Sequence, residues 1–125
     1  MKKGVTKPST SRKKRHTAPN HKRRKYLSSP LSPSLRAEHG TRSMTVIVDD
    51  TVSITKGDRK LSEGRVLKVD TKKNVIYVEG VTRTRMDGST VQIPIRPENA
   101  MITRLNLDDP WRRGILERKS FSAEE

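Results

Sequence analysis

Charge is segregated along this chain, and that segregation limits what can fold. Residues 1–43 hold 13 Lys and Arg against one acid, Glu38, a net of +12; residues 44–125 hold 15 against 13, a net of +2, and the two sum to the chain's +14. Residues 1–25 alone carry 11 Lys and Arg, no acid, and no aliphatic side chain larger than those of Val5 and Ala18. Such a segment buries too little apolar surface to offset the entropy of ordering itself, so free in water it is expected to be disordered. Its clusters Arg12-Lys13-Lys14-Arg15 and Lys22-Arg23-Arg24-Lys25 repel themselves until an anion neutralises them.

A tail that only aids solubility needs modest charge, and acids serve that purpose better than bases. The arm therefore reads as a nucleic-acid-binding arm, with membrane-surface, chaperone-like and localisation roles as alternatives. A lipid-surface helix is disfavoured because the clusters have no opposing apolar face. The basic N-terminus has no apolar stretch behind it and is not expected to be a secretory signal. Aliphatic runs such as Val46-Ile47-Val48 fall far short of the roughly 18 residues that cross a bilayer. The chain has no cysteine, which excludes disulfides and thiolate metal sites and suits a reducing, cytoplasmic setting. A pI near 10.7 points to a polyanionic partner.

The body reads as short elements. Ser32 can cap a short helix with Pro33 at its first position and Gly40 as a left-handed stop. Two turns cannot hold alone in water, so Leu31 and Leu35 should anchor it. Strands follow at Thr51–Thr55, Arg65–Asp70, Asn74–Val78, Val81–Arg85, Thr90–Ile95 and Ala100–Leu105. Val75–Val78 is apolar on both faces and should be central; Asp87-Gly88 is a tight-turn signal; Pro94 marks an edge or bulged strand. About 60 residues in five or six strands describe a small barrel or sandwich, near the lower limit for a self-sufficient core. Asp109 and Pro110 open a C-terminal helix through about Lys119, with Trp111 and Ile115 on one packing face and a frayed end at 121–125.

Little supports catalysis or metal binding. His16, His21 and His39 all lie in the arm or its short helix, no nucleophile has a base beside it, and no phosphate-binding glycine pattern is present. No cofactor is implied. The aromatic inventory is Tyr26, Tyr77, Trp111 and Phe121, too few for a base-stacking sheet, a methyl-lysine cage or a proline-peptide groove. Recognition of RNA should then rest on phosphate charge and on shape.

The distinctive segment of the body is Val52 to Val66, in which two apolar positions fix a strand, Gly57 turns it, a basic loop follows and Gly64 returns the chain. Glycine at both ends lets the backbone adopt positive φ and approach a ligand closely, although an ordinary long hairpin would look similar. This segment resembles the KOW motif, a strand–loop–strand unit of SH3-like barrels in RNA-associated proteins. The resemblance extends through Ala18-Pro19, His21, Arg23-Arg24-Lys25, Leu31-Ser32, Leu35-Arg36, Arg42-Ser43-Met44, Ile76-Tyr77-Val78-Glu79-Gly80-Val81, Ile102-Thr103, Leu105 and Ile115-Leu116-Glu117-Arg118-Lys119, all in one order. Over about residues 12–119 the chain is similar to the large-subunit ribosomal protein family called L-twenty-four in archaea and L-twenty-six in eukaryotes.

The resemblance implies a structural, non-enzymatic component of the cytoplasmic large ribosomal subunit. It implies binding to the 5′ region of large-subunit rRNA, early assembly, a place near the polypeptide exit tunnel, and neighbouring ribosomal proteins as partners, without a membrane or a homo-oligomer. Arg23, Arg24, Lys25, Arg42 and Ser43 match the family's RNA-facing arm, and Lys56, Gly57, Lys60, Gly64 and Arg65 match its loop. With Arg12, Lys13, Lys14, Arg15, His21, Lys22, Arg59, Arg83 and Arg85, they form the candidate rRNA-binding set. The expected fold is mainly β: a basic arm (1–28), a short helix and linker (29–43), an SH3-like KOW barrel (44–106), and a C-terminal helix and tail (107–125). Two departures from the family pattern stand out. Leu61 occupies a position where the family usually has glycine, and Asp49-Asp50 replaces a more basic approach to the first full strand. Alternative readings are a regulatory KOW module that binds RNA polymerase or an elongation factor, and a DNA-compacting protein.

Overall fold

Val52 and Ile54 point inward from a four-residue strand and Thr51 and Ser53 sit half-buried beside them, the period-two burial of a sheet with one wet face. The computed structural model describes residues 6–124, with side chains through Ser120, so the first five residues of the expected arm lie outside the described residues. In the body, strands β3 (Thr51–Ile54), β4 (Glu63–Asp70), β5 (Val75–Thr84), β6 (Thr90–Ile95) and β7 (Ala100–Arg104) form one antiparallel sheet in the order β6-β5-β4-β3-β7. A smaller ladder, β1 (Ser28–Pro30) with β2 (Ser43–Thr45), stands beside it. The ladders are joined where Leu31 bridges Ile102 and Ser32 N–H donates to the Ile102 carbonyl at 2.9 Å. This is the mainly β, SH3-like core expected. Among the described residues no ladder joins β6 to β7, so the sheet is open along that side.

The core is aliphatic. Val52, Ile54, Val66, Ile76, Val78, Val81, Ala100 and Ile102 come from the sheet, and Leu27, Leu31, Met44, Val46 and Leu116 close over it. One element differs from expectation: the strands expected at 74–78 and 81–85 are a single ten-residue strand, β5. Gly80 takes φ +82° and the register with β6 shifts between Tyr77 and Thr82. Between those two positions β5 advances five residues and β6 two, and the three extra residues move the inward phase from Ile76 and Val78 to Val81, so the strand bends instead of ending. β5 is interior, as its two-faced apolarity predicts, and β6 with Pro94 is an edge.

The helices follow local chemistry. In α3 (Pro33–His39) the Ser32 hydroxyl accepts from Leu35 N–H, and Gly40 closes the helix at φ +66° with its N–H on the Arg36 carbonyl. Leu31 is fully buried and Leu35 packs against the core. In α4 (Pro110–Glu124) the Asp109 carboxylate accepts from Trp111 N–H at 3.0 Å, and the helix runs past the expected end at Lys119; the side chains of 121–125 lie outside the described residues. Trp111 is a correction: it is 78% exposed, while Arg112 and Leu116 are buried.

An ion pair sets the phase of α4. The Arg112 guanidinium meets both oxygens of Asp50 at 2.6 Å and also donates to the carbonyls of Asn106 (2.7 Å) and Thr45 (3.0 Å). Asp50 further accepts from Ile47 N–H and Asn106 N–H. Both side chains are out of water, and a bidentate, fully hydrogen-bonded pair is the form in which buried charge is tolerable. With Arg112 turned inward, the next residue one turn on is Leu116, and Trp111 is left in solvent.

Candidate nucleic-acid interface

The basic loop between β3 and β4 is small and self-closed. Ile54 N–H donates to the Ser62 carbonyl, Leu61 N–H donates back to the Ile54 carbonyl (both 2.8 Å), and Gly57 turns the chain at φ +96°. Lys56, Arg59 and Lys60 project from it exposed, and Arg59 reaches across to the Thr82 carbonyl at 3.2 Å. Gly64 departs from expectation: its φ is not positive, and its need for glycine is steric. A Cβ there would lie 2.4 Å from the Glu79 carbonyl oxygen, so Gly64 serves strand packing against β5 and not approach to a ligand. At Leu61 the backbone takes φ +73°, in the left-handed region. Arg65 lies 3.7 Å from Asp49, both exposed, so this cation already faces a carboxylate.

Lys56, Arg59, Arg83 and Arg96 line one groove along β6, over Val91, Ile93 and Ile95. Arg85 sits exposed at the end of this hairpin, outside that groove. The turn itself is tied by Asp87, whose carboxyl is held below its ordinary range first by the Ser89 hydroxyl and then by the Ser89 N–H.

The arm carries helical segments joined by extended Ala18-Pro19. Helix α1 (Pro8–Thr17) carries Arg12, Lys13, Lys14 and Arg15 and buries none of its residues; α2 (Asn20–Arg23) carries His21, Lys22 and Arg23. A 3-10 turn, Arg24–Leu27, follows, and its buried Leu27 accepts Val46 N–H at 2.9 Å, pinning the arm to the body. Arg23 is half-buried: its guanidinium donates to the Lys72 carbonyl at 3.3 Å and to the His16 carbonyl. Arg15 lies over the Tyr26 ring at 5.0 Å. His21, Arg24 and Lys25 flank a second groove toward Met44, Ile47 and Ile115. Arg42 is exposed, and Ser43 opens β2 with its carbonyl held by Lys119 Nζ at 3.0 Å.

The structure thus brings Arg12, Arg15 and Arg23 together with Lys72, Lys73 and Arg96, and brings Lys56, Arg59 and Arg83 together with the same Arg96. Arg96 joins the two groups into one basic surface. Lys13, Lys14, Lys60, Gly64, Arg65, Arg85, Arg42 and Ser43 line neither cavity. Sequence reasoning missed Lys72, Lys73 and Arg96; the paired lysines of the β4–β5 turn were visible, but not that the turn faces the arm. Among the described residues no cluster of His, Cys, Asp and Glu could hold a metal ion, and no helix is long and apolar enough to cross a membrane.

A basic arm on an SH3-like β body is the architecture of an RNA-associated structural protein, and comparison with known proteins makes this specific. Residues 5–119 match the family described as the eukaryotic L-twenty-six and archaeal L-twenty-four ribosomal proteins. The chain is 41% identical over 119 residues to the large ribosomal subunit protein uL24 of Korarchaeum cryptofilum, covering 95% of this chain and 91% of that one. It is 47% identical over 111 residues to the protein of the same name in Methanothrix thermoacetophila, covering 89% of this chain and 96% of the relative. The chain belongs to this family of ribosomal proteins, and it is a structural protein and not an enzyme.

Proposed function

We propose that the chain is a structural constituent of the large ribosomal subunit, working in the cytoplasm among neighbouring ribosomal proteins and binding the 5′ region of large-subunit rRNA. It joins early in assembly and sits near the polypeptide exit tunnel. The arm is unfolded in free solution and takes its structure between RNA helices, where phosphates neutralise Arg12 to Arg15 and Lys22 to Lys25. The observation that carries this reading is the pair of cation-rich grooves that share Arg96, one reaching α1 and the other Lys56 and Arg59, with Asp58 as the one acid lining either among the described residues.

Charge and shape are the available means of recognition. Tyr26 and Tyr77 lie under the cations of Arg15 and Lys68, and Trp111 alone is no stacking platform. The test compares affinity for a transcribed 5′-domain fragment of large-subunit rRNA with that for duplex DNA of equal length. Preference for the folded RNA is expected; equal affinity would leave only a generic polyanion binder.

A further inference from the structure

Where the arm folds back over the β4–β5 turn it encloses a cavity of about 210 Å³. Arg12, Arg15 and Arg23 line it from the arm, Lys72 and Lys73 from the turn, and Arg96 from the end of β6; no carboxylate lines it among the described residues. Asp70, the acid of that turn, has an oxygen engaged by Lys72 N–H at 3.0 Å and Lys73 N–H at 3.1 Å. Six cations around one small space oppose closure of the arm, although solvent at the exposed ones screens part of that repulsion.

Nothing apolar compensates, because α1 buries no residue. What holds the arm down is Arg23, bonded at once to the His16 carbonyl and the Lys72 carbonyl, and Tyr26, against which Arg15 rests. Two polar atoms here are buried without a hydrogen-bond partner, Arg23 Nε and Asn74 Oδ1. A buried guanidinium N–H without an acceptor is costly. One tetrahedral oxyanion supplies that acceptor for Arg23 Nε and reverses the sign of the repulsion among the cations, whereas Asn74 Oδ1, itself an acceptor, gains nothing from it. At roughly 30 Å³ per water, the cavity has room for it together with some solvent.

We propose that this cavity is a phosphate-binding pocket that takes one backbone phosphate of bound RNA, and that its occupancy closes the arm onto the β4–β5 turn. The proposal rests on the reading that RNA is the partner, and adds Lys72, Lys73 and Arg96 as ligands together with a coupling between anion binding and arm folding. Lys13 and Lys14, outside the pocket, contribute only diffuse attraction.

The test uses the full chain and inorganic pyrophosphate, titrated against sodium chloride at constant ionic strength, with amide NMR shifts and helical circular dichroism as readouts. Expected are saturable shifts at His16, Tyr26 and Lys72 to Asn74, with a gain of helix. The double variant Lys72→Gln with Lys73→Gln, whose side chains are exposed and whose fold is checked by thermal unfolding, should bind pyrophosphate at least about tenfold more weakly. Arg104→Gln with Arg113→Gln, two exposed cations outside the arm, the loop and the pocket, should bind it as the parent does. Shifts that never saturate, or equal affinity in the Lys72/Lys73 variant, would overturn the pocket. A 5′-domain rRNA fragment added as competitor separates the two layers of the argument. Tight rRNA binding without pyrophosphate saturation sinks the pocket and leaves the ribosomal reading standing; pyrophosphate saturation that bound rRNA does not displace overturns the assignment of the pocket to an RNA phosphate, and absence of rRNA binding sinks the RNA reading itself.

Discussion

Helix α1 spans ten residues and buries none of them, whereas Val75 to Val81, a shorter stretch, buries Val75, Ile76, Val78 and Val81. The two segments are ordered by different physics. β5 is held by ladders on both sides and by exclusion of water, neither of which needs a partner molecule. A ten-residue helix without a packed face is marginal in water, and apart from Arg15 on Tyr26 and Arg23 on the His16 carbonyl its last turn is helped only by basic residues at the negative end of the helix dipole. Body and arm should therefore separate under perturbation, the body answering to packing and the arm to ions.

The largest effect tests that separation. Removing residues 1–25 should leave the unfolding midpoint of the body close to that of the full chain, since Leu27 and its bond to Val46 remain. The same truncation should cost most of the RNA affinity and flatten its salt dependence. For the full chain that dependence is steep, about 10³–10⁵ in affinity between 50 and 200 mM salt if roughly 6–10 phosphates are contacted. Undiminished affinity in the truncated chain would assign recognition to the body.

Next in size is the clamp between body and α4. Asp50→Ala strands the Arg112 guanidinium out of water and should cost about 3–5 kcal/mol. At roughly 4–8 °C per kcal/mol for a domain of this size, the melting midpoint falls by more than about 10 °C. Its neighbour Asp49, exposed opposite Arg65, should be nearly silent on replacement by Ala, within about 1 kcal/mol. A small loss at Asp50 would mean that α4 is held by Leu116 and Ile115 alone.

This pair also explains what the sequence conceals. Helix α3 is legible because its signals, Ser32, Pro33 and Gly40, lie within nine residues and act locally. Trp111 misleads because the phase of α4 is set by Asp50, 62 residues before Arg112, and spacing within a helix cannot reveal which stripe faces inward. Asp49-Asp50 looks like one acidic departure, yet one member is core and the other surface. The candidate interface divides in the same way. The arm clusters and the loop cations are visible as runs, whereas Lys72, Lys73 and Arg96 become partners of the arm only through the fold.

The two loop glycines give the third contrast. Gly64→Ala puts a Cβ 2.4 Å from the Glu79 carbonyl oxygen and 3.0 Å from Val78 Cγ1, so β4 and β5 must part, at a cost of about 1–3 kcal/mol. Gly57→Ala meets nothing within 4 Å and suffers only its φ of +96°. Chemical denaturation should rank Gly64→Ala as the more damaging; the reverse order would mean that loop conformation, and not strand approach, governs this unit.

Leu61 should give the smallest effect, and one of opposite sign. Its φ of +73° places a branched side chain in the left-handed region, which costs a non-glycine residue roughly 1–2 kcal/mol. With 82% of the residue exposed, almost no burial offsets that strain. Leu61→Gly removes the strain but gives the unfolded chain more freedom, about 0.4–1 kcal/mol in the other direction. The net gain thus lies between about zero and about 1.6 kcal/mol, a rise in melting midpoint of at most about 10 °C. Leu61→Asn, which tolerates this conformation better than Leu, should fall between the two. A drop in midpoint for both variants would show that the exposed leucine packs on the loop in solution, and the loop would then belong with the body's packing and not with the strained, ion-facing surface.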